Sequence, residues 1–216
     1  APSIGAVRAV GESTSTLGEV RHRSDLVVYW GSNPVESHPR HLERFGDASG
    51  YFIAGGRNAR RRVTVDCQPT ETTALADRFI QVTPGSDFEL IWALRALVQG
   101  KRLAGEGPIA GVAREELRQL AAELCEARYG ALFFGLGITH GPTPHATVEA
   151  LLSLVTDLNA HTRFIARRMR IPGDVAGADC VLCWQTGFPF SVNLARGYPR
   201  YYPGEYTAGP LLERGE

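Results

Sequence analysis

Residues 25–34 read Asp25-Leu26-Val27-Val28-Tyr29-Trp30-Gly31-Ser32-Asn33-Pro34. Five consecutive apolar, β-favouring residues with no alternation describe a strand buried on both faces, which is the pattern of a parallel sheet. The glycine, two polar residues and proline behind it impose a turn at the strand's carboxyl end.

Outward from this stretch the pattern repeats. Arg62-Val63-Thr64-Val65-Asp66 reads as a second strand, residues 70–78 have helical character, and Phe79 to Val82 form a short strand. Ser86 and Glu89 fit a capping box for a helix whose stripe is Phe88, Ile91, Leu94 and Val98 and whose stop is Gly100. Residues 100–111 form a connector, and Leu117, Leu120, Ala121 and Leu124 mark the buried face of another helix. Residues 131–137 read as a strand, Val148, Leu151, Leu152, Val155 and Leu158 as a helix stripe, and Phe164 to Met169 as a last strand. Strands alternating with helices predict a Rossmann-like α/β domain, a mostly parallel sheet with crossover helices, over residues 1–172. From Gly173 the chain shows no clear period and is rich in Gly, Pro and aromatics, so residues 173–216 are expected to be irregular, packing on the domain or on a partner subunit.

Composition narrows the function. With 23 Lys plus Arg against 23 Asp plus Glu there is no global basic field for nucleic acid or an anionic membrane. Lys101 is the sole lysine; the arginine excess fits composition bias, and equally phosphate and subunit contacts. No apolar run approaches the roughly 20 residues that span a bilayer and no signal pattern opens the chain, so a cytoplasmic protein is expected. Cys67, Cys125, Cys180 and Cys183 are too few and too irregular for a secreted disulfide scaffold and are expected to be reduced thiols. The chain opens on Ala1, and Met169 is its one methionine, as in a processed product or a fragment.

In an open α/β sheet, ligands collect at the carboxyl ends of the strands where the strand order reverses. Gly31, Ser32 and Asn33 lie at such an end, offering close backbone approach and polar groups to a phosphate, although turn-forming residues also make ordinary turns. Asp66 ends the next strand and can accept from ring nitrogens, as can Asp87, which also suits a helix dipole without a ligand. His38-x-x-His41 and Cys180-x-x-Cys183 invite a zinc reading, but their separation fits no known finger; surface or capping histidines and buried thiols are the plainer reading. His140 and His145 flank a Gly-Pro-Thr-Pro loop, where a structural role is commoner than proton transfer. Walker, nucleophile-elbow and zincin patterns are absent.

A longer string adds to these readings. Leu17-Gly18-Glu19-Val20, Arg23, Asp25 to Pro34 and His38-Pro39-Arg40-His41 together resemble the B-type chain of formylmethanofuran dehydrogenase. So do Gly135-Leu136-Gly137-x-Thr139, Asp157-Leu158-Asn159-Ala160, residues 184–190, residues 196–201 and Pro203-Gly204-Glu205. The resemblance implies the scaffold of the molybdopterin oxidoreductases. In archaeal members it implies a tungsten or molybdenum bis-pterin guanine dinucleotide centre that reduces carbon dioxide to formate. Gly31, Ser32 and Asn33 then match the pterin-dinucleotide loop, Asp66 and Asp87 the acidic positions that read guanine, and Arg170 an active-site arginine.

The family's Asp-Pro-Arg after the second strand stands here as Asp66-Cys67-Gln68, and its metal-ligating and iron–sulfur cysteines lie upstream of the matching region. The expectation is therefore a non-redox, scaffolding B-type member of the related bacterial formyltransferase/hydrolase complex, which yields formate from formyl-tetrahydromethanopterin through a methanofuran analogue. Its partners are an amidohydrolase-type A subunit, a C subunit and a formyltransferase D subunit, with no cofactor or metal of its own. The alternatives are a fragment of an active tungsten or molybdenum dehydrogenase and a free-standing small-molecule-binding α/β domain.

Overall fold

The computed structural model describes residues 2–169 and 175–215. The elements run α1 (Pro2–Val10), α2 (Leu17–Arg23), β1 (Leu26–Trp30), α3 (Pro34–Ser37), a π-helical turn (Leu42–Gly46), a 3-10 turn (Gly56–Ala59), β2 (Arg61–Asp66), α4 (Glu71–Ala74) and β3 (Arg78–Gln81). They continue through α5 (Asp87–Val98), α6 (Arg114–Glu126), β4 (Tyr129–Phe134), a 3-10 turn (Leu136–Thr139), α7 (Pro144–Leu158) and β5 (Arg163–Arg168). After these come α8 (Val175–Thr186), β6 (Val192–Asn193), β7 (Arg200–Tyr201) and α9 (Ala208–Glu213). The chain divides into two compact units, Ala1–Met169 and Arg170–Glu216.

In the first unit β1 to β5 form one sheet in the order β3-β2-β1-β4-β5, every neighbouring pair parallel. The chain steps outward from β1 to β3, then returns to the other side of β1 to build β4 and β5. The order therefore reverses between β1 and β4, and a crevice opens at their carboxyl ends. Both strands are buried throughout, as the unbroken apolar runs require.

Alternate side chains feed two cores. Leu26, Val28 and Trp30 join Leu132, Phe134 and the buried faces of α5, α6 and α7 in the larger one. All four residues of the stripe read on α6 and all five read on α7 are buried there. Val27, Tyr29, Ala131 and Phe133 pack with Val20 of α2 and Leu42 in the smaller one. Gly130 has no side chain because one would overlap the Phe164 ring of the next strand.

Several expectations need correction. Ser86 does not cap α5 with its side chain, since its ψ of 20° lies outside the extended region that caps adopt. A capping box does form at Thr70, with Thr73 as its reciprocal partner, but the helix it opens is only four residues long. Nor is the second unit irregular throughout. α8 covers residues 175–186, and its apolar residues surround the helix instead of forming one stripe, which hid it. Beyond it, Phe188 stacks on Tyr201 at 4.8 Å and Phe190 meets the same ring edge-on.

His41, expected at the surface or at a cap, stands at the N-cap of the π-helical turn without a side-chain capping bond and, at 7% exposed, belongs to the smaller core. Its Nε2 lies 3.0 Å from the Tyr29 hydroxyl, and its ring meets Phe133 edge-on at 4.8 Å. Burial, with help from the His38, Arg62 and Arg167 charges, pushes its pKa down from 6.5 to about 4. The folded state thus holds His41 neutral where an unfolded chain would take a proton. Stability should be unaffected by this group above pH 6.5 and should fall by roughly 3 kcal/mol as pH drops from 6.5 to 4. Urea unfolding across that window should show the loss in the native sequence, and His41→Gln should flatten that part of the slope; an unchanged slope would remove His41 as the cause.

Candidate functional site

The carboxyl ends of β1, β2 and β4, with the loop after β3, gather the residues that the sequence singled out. Gly31 leaves β1 with φ +53°, a conformation that only glycine adopts without strain. Its N–H donates to Val65 O at 2.8 Å, and its carbonyl accepts from Gly137 N–H at 2.9 Å. A Cβ on Gly31 would lie 2.7 Å from Ile138 N. The glycine therefore lets two loops of the protein meet, where the sequence suggested close approach to a phosphate. Gly135 and Gly137 complete the contact, since a Cβ on either would collide with Gly31 or Ser32. Further along the rim Gly85 and Gly141 approach one another. Residues 131–137 are thus not one strand, as the apolar pattern suggests. Gly135 and Gly137, spaced just past that run, are the sign that the strand ends and a close packing begins.

Ser32 follows directly. Its Oγ is buried and has no hydrogen-bond partner, a state that costs about 1–3 kcal/mol unless a partner arrives. Asn33 is different, because its groups are already used: Nδ2 donates to Glu71 at 2.6 Å and Glu36 at 3.1 Å, and Oδ1 accepts from Thr72 N and Oγ1. Asn33 fastens the β1 loop to α4 and is a fixing residue, not a free ligand group.

Asp66 ends β2 and accepts from the N–H of Cys67 at 2.8 Å. Burial, then the negative charge of Asp66, pushes the Cys67 thiol pKa up, which argues against a reactive thiolate. Asp87 opens α5 and is 8% exposed; its Oδ1 accepts the indole N–H of Trp30 at 2.7 Å. Burial raises its pKa, the Trp30 hydrogen bond pulls it back, and Asp66 adds a further upward push. No local pattern signals the Trp30 contact, which joins residues 57 apart.

Arginines neutralise other aspartates of this unit: Asp25 pairs with Arg128, Asp47 with Arg62, Asp77 with Arg57 and Asp157 with Arg95. Among the described residues Asp66 and Asp87 have no such cation. Two unneutralised acids and an unpartnered buried hydroxyl at a switch point suit a ligand that brings N–H donors and phosphate oxygens. A pterin guanine dinucleotide has both, and these residues fit it.

The other candidates do not assemble. His38 contacts Ser37 and His41 is in the core. Cys180 and Cys183 share α8, with Cys180 exposed and not buried as expected; all four cysteines are unpaired. No three metal-ligating side chains converge among the described residues. Arg170 lies outside the described residues. No described helix is long and apolar enough to cross a membrane.

No family model matches the chain. The B-type chain of the tungsten-containing formylmethanofuran dehydrogenase 2 of Methanocaldococcus jannaschii is 45% identical over 217 residues, covering 100% of this chain and 49% of that protein. Formate dehydrogenase H of Escherichia coli is 26% identical over 169 residues, 67% of this chain and 22% of that enzyme. The B-type chain of the formyltransferase/hydrolase complex of Methylorubrum extorquens is 24% identical, covering 99% of this chain and 54% of its own. The crystal structure of that complex with methylofuran matches with a TM-score of 0.71 at 24% identity, over 100% of this chain and 57% of that one.

Fold and crevice together define a doubly wound α/β domain of the molybdopterin-oxidoreductase kind. Within that class, the chain is similar along its whole length to the B-type subunit of formylmethanofuran dehydrogenase and, at lower identity, to that of the formyltransferase/hydrolase complex. It spans about half the length of the relatives it matches there.

If the Ser32 hydroxyl awaits a ligand, removing it should relieve the ligand-free chain. Ser32→Ala is expected to raise stability by about 1 kcal/mol, read as a higher urea midpoint at constant m. A lower midpoint would mean that the hydroxyl already has a partner within the fold.

Proposed function

We propose that this chain forms part of the B-type subunit of a formylmethanofuran dehydrogenase and provides one wall of the site for a pterin guanine dinucleotide. The observation that carries this reading is the pair Asp66 and Asp87, which have no cation among the described residues, together with the unpartnered Ser32 hydroxyl at the end of β1. The stronger likeness to the tungsten dehydrogenase chain supports it over the non-redox alternative. When bound, a tungsten or molybdenum bis-pterin guanine dinucleotide would supply the two-electron chemistry between carbon dioxide and formate.

On this reading the protein's own part is to bind and orient. The Ser32 hydroxyl donates to a phosphate oxygen, and Asp66 and Asp87 accept from the N–H groups of the base. Asn33, held by Glu36, Glu71 and Thr72, keeps the β1 loop fixed. The A, C and D subunits are the proposed partners, and the cytoplasm the proposed compartment.

One observation favours the second reading, a non-redox scaffold in a formyltransferase/hydrolase complex. Cys67-Gln68 offers no cation where the family places an arginine, and the turn is instead tied to β3 by Gln81 Nε2 donating to Cys67 O at 3.2 Å. Metal and pterin analysis of the complex purified with its own subunits separates the two. Stoichiometric tungsten or molybdenum, with guanosine monophosphate released by acid hydrolysis, is the expected result. A complex free of both that still transfers and hydrolyses formyl groups would replace this reading with the scaffold.

A further inference from the structure

Trp30 is the last residue of β1, and its ring is buried in the larger core. A buried indole N–H needs an acceptor, and a backbone carbonyl or an amide would serve. Here it uses a carboxylate, at the cost of desolvating a charge. Only Oδ1 of Asp87 is engaged by Trp30, and among the described residues no other side chain donates to that carboxylate. The titratable groups around it are Asp66 on β2, Cys67 behind it and Glu89 on α5. These are acids and a thiol; among the described residues no cation faces the carboxylate, and what favours its ionised form is the Trp30 indole and then the backbone N–H at the start of α5.

We propose that Trp30 is a positioning residue: by holding Asp87 Oδ1 it fixes that carboxylate beside Asp66, so that together they accept the adjacent N–H donors of a 2-amino-4-oxopyrimidine edge, which guanine and pterins share. This rests on the reading above that the crevice takes such a heterocycle. An adenine edge presents a ring nitrogen acceptor in place of one of those donors and would face the carboxylates unfavourably.

The sign of the effect follows from the bonds. A donor to the ionised carboxylate favours that form, so removing it moves the Asp87 titration upward. Trp30→Phe, which keeps a ring and removes the N–H, should raise the Asp87 midpoint by about one to two pH units, read by carbon-13 NMR of the side-chain carboxyl. Guanosine monophosphate binding to the full chain, measured by calorimetry across the pH range of the Asp87 titration read by NMR, should have its acid limb displaced upward by the same amount. It should recover at the high-pH end. Phe134→Leu, at the neighbouring core position on β4, controls for packing and should leave the limb in place. Adenosine monophosphate should bind at least about tenfold more weakly.

A Trp30→Phe protein whose acid limb does not move, or that loses binding equally at every pH, would reduce Trp30 to a packing residue and overturn the inference. If the native chain binds no guanosine monophosphate at any pH, the site reading fails and this inference with it. Carboxyl titration read separately shows whether Trp30 acts on Asp87 at all.

Discussion

The carbonyl of Gly31, accepting from Gly137 N–H across the ends of β1 and β4, is the contact on which the rest of the site depends. It forms at the point where the strand order reverses, where two parallel strands send their connections in opposite directions. Glycines at 31, 135 and 137 are what allow two backbones to come this close. Once the loops are joined, Ser32 is carried under the surface with its hydroxyl unpaired, and Asn33 is placed to reach α4. A larger residue at any of the three glycines would separate the loops and undo both consequences.

The second constraint is electrostatic. The chain balances its charge overall and pairs arginine with half-buried acids elsewhere, yet among the described residues Asp66 and Asp87 have no cation. Asp87 is buried and still carries an acceptor group, held by the indole of Trp30. Asp66 ends β2 and Asp87 opens α5, where the helix N-terminus favours a carboxylate, but the mutual repulsion of the two acids is not something that stability alone accounts for. A ligand with adjacent N–H donors does, because it meets both acids in one approach.

The central strands were legible because burial on both faces leaves a continuous apolar run, as in Leu26 to Trp30, and the stripes of α6 and α7 were legible from their 3.6-residue period. α1 gave no sign beforehand. α8 was missed because its apolar residues encircle it, and the capping box at Thr70 because its reciprocal partner is Thr73 in place of the usual Glu or Gln. At the site, spacing identified Gly31, Ser32, Asp66 and Asp87 one at a time. It could not indicate that Gly31 serves loop packing, that Asn33 is saturated, or that Trp30 reaches Asp87, since each depends on a partner at least 38 residues away in sequence. Long-range pairing is what a one-dimensional reading loses.

The central claim is that ligand recognition occurs at the carboxyl ends of β1 and β2 and at the start of α5. Backbone hydrogen exchange with and without guanosine monophosphate tests it most directly, because it locates binding without requiring turnover. The account predicts added protection confined to residues 31–33, 66–67 and the first turn of α5. Protection centred on the amino ends of the strands or on α8, with these segments unchanged, would contradict it.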